Sequence, residues 1–253
     1  MIKVLALIIF LSANLFAGTK DTTVSGDLNF DSIIDVVKVS FVTNDGLYSY
    51  LEGPFTVDIN GTVYTDKCEE AEVFDVKIVG IGPDALNPAV MVSCFGTGDV
   101  GEYFFYEIKN KKIVSLGSIK VWGSAEVPGN GKILTNAWMG FWSLQGEYAI
   151  DKESGKLMMF KKDTYDVNIE GMVKTTFKIF KSREDNSEVV QNLKPGTKLT
   201  FLKCDISPVC KNEGGYDDEY DCDWYFLKTQ GGTEGWVRFK DFKNSVEDLP
   251  WAG

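Results

Sequence analysis

Between residues 53 and 65 the chain reads "GPFTVDINGTVYT", in which apolar and polar side chains alternate until Asn60-Gly61 interrupts them. A period of two puts one set of side chains on each face of a strand, and Asn-Gly is the dipeptide that best accepts the positive φ angles of a two-residue hairpin turn. The same grammar recurs in "EYFFYEI" and "KLTFLK", bordered by Gly, Asn, Asp or Pro. After residue 17 no helical periodicity runs beyond two turns. The chain is therefore expected to be all-β, built from short strands and tight turns.

Residues 1–17 run from Lys3 through "VLALIIFL" to Ala17, the pattern of a secretory signal peptide cleaved near Ala17/Gly18. The apolar core is shorter than the ~20 residues a membrane span needs. No cysteine stands at the cleavage point to take a lipid. The expectation is a secreted or periplasmic protein with no membrane span after signal cleavage. The remainder divides near "DVNIEGM": residues 18–168 carry 22 acidic and 13 basic side chains, net −9, and residues 169–253 carry 15 and 12, net −3. Two domains are expected, 18–168 and 169–246, with 247–253 as a tail. So acidic a chain repels phosphate backbones and anionic membrane surfaces, which sets nucleic acid aside as a partner.

An exported chain with five cysteines is expected to form disulfides. The candidates are Cys68 and Cys94 in the first half and Cys204, Cys210 and Cys222 in the second. Cys68 with Cys94 is the evident pair. In the second half, Cys204–Cys222 and Cys210–Cys222 stay open as alternatives, with one thiol left over. Metal binding by cysteine is the weaker reading, because the chain has no CxxC pair and no histidine.

"SGDLNFDSIIDVVKV" (25–39) places oxygen side chains at Asp27, Asn29 and Asp31, then at Asp35. Three such groups on one strand face would need a countercharge. Calcium supplies one: ligands at loop positions 1, 3, 5 and 9, with the carbonyl of Ile33 at position 7, can wrap the ion. The bland reading is a solvated loop of Asx turns, in which Asp and Asn bond their own backbone. The segment resembles the DxDxDGxxD loops of FG-GAP and VCBS-like β-propeller-type repeats, with Ser32 where the family has Gly. That resemblance implies a structural calcium ion and a degenerate repeat region, echoed weakly around Asp84/Asn87 and around Asn130.

From residue 172 onward, "FKIFKSREDNSEVVQNL", "KPGTKLTFL", "DWYFLKT" and "GGTEGWVRFKDF" resemble the bacterial Src homology 3 (SH3) family in their order. The resemblance implies a small SH3-like β-barrel, in which Pro195-Gly196 forms a turn, Gly231-Gly232 forms a hairpin, and Trp236 contributes to the core. It also implies binding of peptides or cell-wall glycopeptide. An insertion, "CDISPVCKNEGGYDDEYDC", carries Glu213, Asp217, Asp218, Glu219 and Asp221, with Asp223 just beyond it. It reads as a solvated loop at the rim of such a groove, which makes Tyr216, Tyr220, Trp224 and Trp236 the candidate ligand-binding residues. Trp138, Phe141, Trp142 and Tyr148 form a second aromatic cluster, which reads as core before sugar platform.

With no histidine, Ser-His-Asp, Cys-His and His-zinc chemistry all fall away. The expectation is an exported, non-enzymatic cell-envelope protein: a calcium-steadied β domain with a small barrel that binds peptidoglycan or a protein ligand. The contrasting readings are a carboxylate-dependent glycan hydrolase and a periplasmic inhibitor-type protein-binding module.

Overall fold

The computed structural model describes residues 18–43, 53–69, 72–82, 87–211, 217–218 and 220–251. The signal-peptide segment and Tyr216 lie outside them. The fold is all-β, with three large antiparallel sheets. Its single short α-helix among the described residues, α1, spans Phe239–Phe242. Among the described residues no helix is long and apolar enough to cross a membrane.

The first sheet is a four-stranded meander of β1 (Gly18–Gly26), β2 (Asp35–Thr43), β3 (Gly53–Ile59) and β4 (Thr62–Cys68). Its hairpin at Asn60-Gly61 turns with φ of 51° and 85°, the left-handed geometry that Asn and Gly accept. Alternation then sends Val37, Val39 and Phe41 of β2, with Phe55, Val57 and Ile59 of β3, to one buried face. Each such side chain contributes about 1.5–3 kcal/mol by leaving water.

The second sheet has seven strands: β5 (Val73–Ile81), β6 (Asn87–Phe95), β7 (Val100–Lys109), β8 (Lys112–Glu126), β9 (Ile133–Trp138), β10 (Ser143–Ile150) and β11 (Leu157–Met159), in that order side by side. Its middle strands do not alternate in burial, because they are covered on both faces. Val90, Val92, Cys94, Phe104 and Tyr106 pack against the first sheet. Ala89, Met91, Tyr103 and Phe105 pack the other way, against Leu116, Ile119 and Ile133. The fifteen-residue β8 pairs with β7 up to Trp122 and with β9 from Gly123 onward. Gly123 has a φ of +139°, and a Cβ there would lie 2.0 Å from the carbonyl oxygen of Asn136. Only glycine permits that bend.

The third sheet comprises β12 (Tyr165–Val173), β13 (Phe177–Phe180), β14 (Val189–Leu193), β15 (Lys198–Asp205), β18 (Trp224–Thr229), β19 (Glu234–Arg238) and β20 (Val246–Glu247), ordered β14-β13-β19-β18-β15-β12-β20. Beside it, β16 (Cys210–Lys211) and β17 (Asp217–Asp218) pair within the insertion. The 168/169 boundary expected from composition falls inside β12, and the passage between sheets lies in residues 160–164. The Pro195-Gly196 turn forms as expected, with Gly196 at φ 83° and its N–H donating to the Val173 carbonyl at 2.8 Å.

The two halves share a core. The turn between β9 and β10 inserts Phe141, fully buried, among Phe201 (5.5 Å between ring centres), Tyr225 (5.4 Å) and Phe242 (5.9 Å) of the third sheet. Its neighbour Trp142 donates its indole N–H to Tyr225 Oη at 3.0 Å. The expectation that this cluster packs as core is met for Phe141 and Trp142, and the core they enter belongs to the other half.

Candidate functional site: an acidic loop and two aromatic surfaces

The acidic loop folds as a ladder of Asx turns. Asp27 accepts the N–H of Ser32 at 2.9 Å, Asn29 Oδ1 accepts that of Asp31 at 3.0 Å, and Asp31 Oδ1 accepts that of Ile33 at 2.8 Å. Ser32 has a φ of +66°, the left-handed conformation for which glycine is the easier residue. Asp35 is buried at 3% exposure and holds two elements together. Its carboxylate accepts the N–H of Leu28 at 2.8 Å and the amide of Asn60 at 2.6 Å, and Asn60 in turn caps Val36. The donor chemistry of Asp27, Asn29, Asp31, the Ile33 carbonyl and Asp35 suits calcium. The Asn29 amide donates to Asp31 Oδ2 at 3.0 Å, so taking up an ion would require that side chain to turn its oxygen toward it. Among the described residues no group of three or more His, Cys, Asp or Glu side chains is arranged to hold a metal.

On the third sheet, the candidate ligand residues are covered by their own neighbours. Trp224 is 2% exposed, beneath the Arg238 guanidinium 4.4 Å from its ring centre and edge-on to Phe180. This corrects its reading as a ligand platform: both ring neighbours are supplied from within. Trp236 does not enter the core; it lies half-buried on the outer face, against Phe226 at 5.0 Å and beneath Arg183 at 5.1 Å. Tyr225, Leu227 and Val237 take the inward positions instead.

Both arginines are anchored. Arg183 pairs with Asp163 at 3.0 Å and the buried Asp205 at 2.8 Å, and the Asp163 hydrogen bond leads in raising its pKa. Arg238 bonds Asp185 at 2.7 Å and the Cys222 carbonyl at 2.8 Å. Its hydrogen bond holds the Asp185 carboxyl below its usual range. Tyr220 is half-buried, packed against the shared core.

A different aromatic surface stands open at the seam between the halves. Trp122 at the bend of β8, Trp138 at the end of β9 and Trp251 near the C-terminus line a cleft of about 890 Å3, together with Asp99, Asn136 and Ser143. Trp122 is 51% exposed and Trp251 40%. Each is fixed from behind. The Trp122 indole N–H donates to the Gly98 carbonyl. Trp251 rests on Phe141 at 5.3 Å and on Gly140, where a Cβ would stand 3.2 Å from its ring. The cleft adjoins a smaller depression that shares Trp122 and Trp138 and is lined also by Tyr148 and Tyr220. Sequence reasoning missed Trp122 and Trp251, which stand alone in polar or terminal contexts. The available signal was Gly123, directly after Trp122 in a strand, which marks a bend.

The one disulfide among the described residues joins Cys210 to Cys222, with Cα atoms 5.8 Å apart, and so resolves the open alternative. A closed loop of this length stabilises by about 3 kcal/mol in the chain-entropy view. Cys204 is buried in the core cluster that also holds Tyr225, and burial raises its thiol pKa well above the ordinary value. Cys68 and Cys94 meet in the core between the first two sheets. A hydrogen bond between them, and then burial, raises the Cys94 thiol pKa far above its ordinary value.

No family model matches the chain, and searches of the curated proteins and of the solved structures returned no match.

Proposed function

We propose that this chain is an exported, non-enzymatic binding protein of the cell envelope, whose ligand is cell-wall glycopeptide or an envelope protein. The observation that carries this reading is the tryptophan cleft, a concave surface in which the Trp122 and Trp251 indoles are fixed from behind and open in front. Preformed, mainly apolar concavities with a few polar groups are where ligands bind. The chemistry at hand favours binding over turnover. The chain has no histidine to act as a base, and Asp99 is the only carboxylate among the described lining residues, where glycoside hydrolysis uses a pair. The third sheet is read as a bacterial SH3-like barrel and residues 18–168 as a degenerate FG-GAP-like region, on the motifs quoted above.

Export implies a second bridge, Cys68–Cys94, beside Cys210–Cys222, with Cys204 remaining a thiol. Counting alkylated thiols by mass after unfolding without reductant should then give one, and three if the second pair stays reduced. The acidic loop is the place for a structural calcium ion. Calcium added to chelator-treated protein should raise the melting temperature of the native chain and leave an Asp27→Ala/Asp31→Ala variant unmoved.

The central test is co-sedimentation of the purified chain with isolated cell-wall sacculi, with reducing-sugar release assayed in parallel. Retention without release is expected. Release would move the reading to a carboxylate-dependent hydrolase. Retention only of a protein from the envelope fraction, weakened steeply by salt, would move it to an inhibitor-type module.

A further inference from the structure

We infer that the cleft formed by Trp122, Trp138 and Trp251 is a subsite for a chain of uncharged pyranose rings. This rests on the binding-protein reading above and goes beyond it by naming the ligand class and the residues that select it.

The argument begins with what the cleft lacks. No lysine or arginine is among its described lining residues, and its one charged side chain is Asp99, on a chain of net charge −11. A phosphate-bearing or polyanionic ligand would meet repulsion with no compensating cation, so nucleobases carried on a phosphate backbone do not suit these indoles. A neutral ligand does.

Two neutral polymers use aromatic grooves, and the hydrogen-bonding groups separate them. An extended proline-rich peptide docks on aromatic ridges and presents carbonyl oxygens, which require donors. Such a peptide offers almost no N–H groups of its own, because proline has none, so Asp99, which can only accept, would be left without a partner. A pyranose ring has an apolar C–H face that lies against an indole and a rim of hydroxyl or acetamido groups that donate as well as accept. Asp99 can accept from such a rim. Asn136 can donate to it: its Oδ1 takes the Gln145 amide at 2.8 Å, which fixes the side chain and leaves its own NH2 as donor. Ser143 can do either.

The rings are also held before any ligand arrives. Trp122 is tied to Gly98, and Trp251 lies on Gly140 and on Phe141, itself locked in the shared core. Rings already fixed lose little rotamer freedom on binding.

The test is titration of the purified chain with chitohexaose, cellohexaose and a decapeptide of proline, followed by tryptophan fluorescence and calorimetry. The variants are Trp122→Ala, Trp122→Phe, Trp251→Ala and, as a surface control on β4, Val63→Ala. Saturable binding of at least one hexasaccharide is expected, weakened tenfold or more in Trp122→Ala and Trp251→Ala, partly restored in Trp122→Phe and unchanged in Val63→Ala. Melting curves of all variants establish that they are folded. Binding of the proline peptide with neither saccharide bound overturns the inference, and so does saccharide binding that the tryptophan variants leave intact. If the chain sediments with sacculi yet binds neither hexasaccharide, the pyranose subsite is overturned while the envelope-binding reading stands. If it does neither, both fall.

Discussion

The third sheet and the seam both present tryptophan beyond the core, and they treat it in opposite ways. On the sheet, Trp224 and Trp236 each lie under an arginine, and each arginine is held by an aspartate. At the seam, Trp122 and Trp251 are fixed from behind and uncovered in front. The difference comes from the excursion between β13 and β14, which brings Arg183 and Asp185 back over the sheet, whereas no basic residue is among the described residues lining the cleft. An aromatic residue becomes a surface through the absence of such a cover, more than through its own position in a strand.

The sharpest way to break that contrast is to truncate one ring from each side. Trp224→Ala should cost about 3–5 kcal/mol in urea unfolding, as expected for a buried aromatic. Trp122→Ala should cost only about 0.5 kcal/mol, as for a surface change. Equal losses would mean that the seam tryptophans are core residues in disguise.

Next in size is Trp142→Phe, which leaves Tyr225 without its indole donor and should cost about 1–2 kcal/mol, read from the same unfolding curves. Arg238→Ala then uncovers Trp224. A loss of about 1 kcal/mol is expected, with a rise in quenching of tryptophan fluorescence by acrylamide. No rise in quenching would show that Phe180 alone shields the ring.

The smallest effect concerns pH. Asp185 has its pKa depressed by the Arg238 hydrogen bond, so its contribution is present at neutral pH and is lost as pH falls through the carboxylate range, below about 4. Because Asp185 is solvent-exposed, that contribution amounts to a few tenths of a kcal/mol. Asp185→Asn should remove it at pH 7 and flatten this part of the acid stability profile.

Local chemistry made much of the fold legible in advance. Asn60-Gly61 and Pro195-Gly196 announce their turns because the backbone conformation those positions need belongs to few residues. Strand alternation in β2 and β3 likewise predicts which face is buried. What stayed hidden depends on partners far away in sequence. Trp142 meets Tyr225 across 83 residues, so its burial has no local signature. Trp236 looked like core area in a small barrel, yet the pleat of β19 turns Val237 inward and leaves Trp236 to Arg183. The cysteine pairing turned on the direction of Cys204, which faces the core beside Tyr225 while Cys210 and Cys222 meet across the insertion. The acidic loop was legible as a turn-former, and its Asx ladder is the part of that reading that local hydrogen bonding alone can build.

The turn between β9 and β10 also bears on how such a chain can be recombined. Phe141 is a stopper from one half seated in the interior of the other, so a gene fragment beginning in residues 160–164 would encode the third sheet with its stopper missing. To travel into a new chain, that sheet must carry the 139–142 turn along or acquire a ring of its own to fill the space. Inheritance of the two halves is tied together at one side chain, well away from the peptide linkage that joins them.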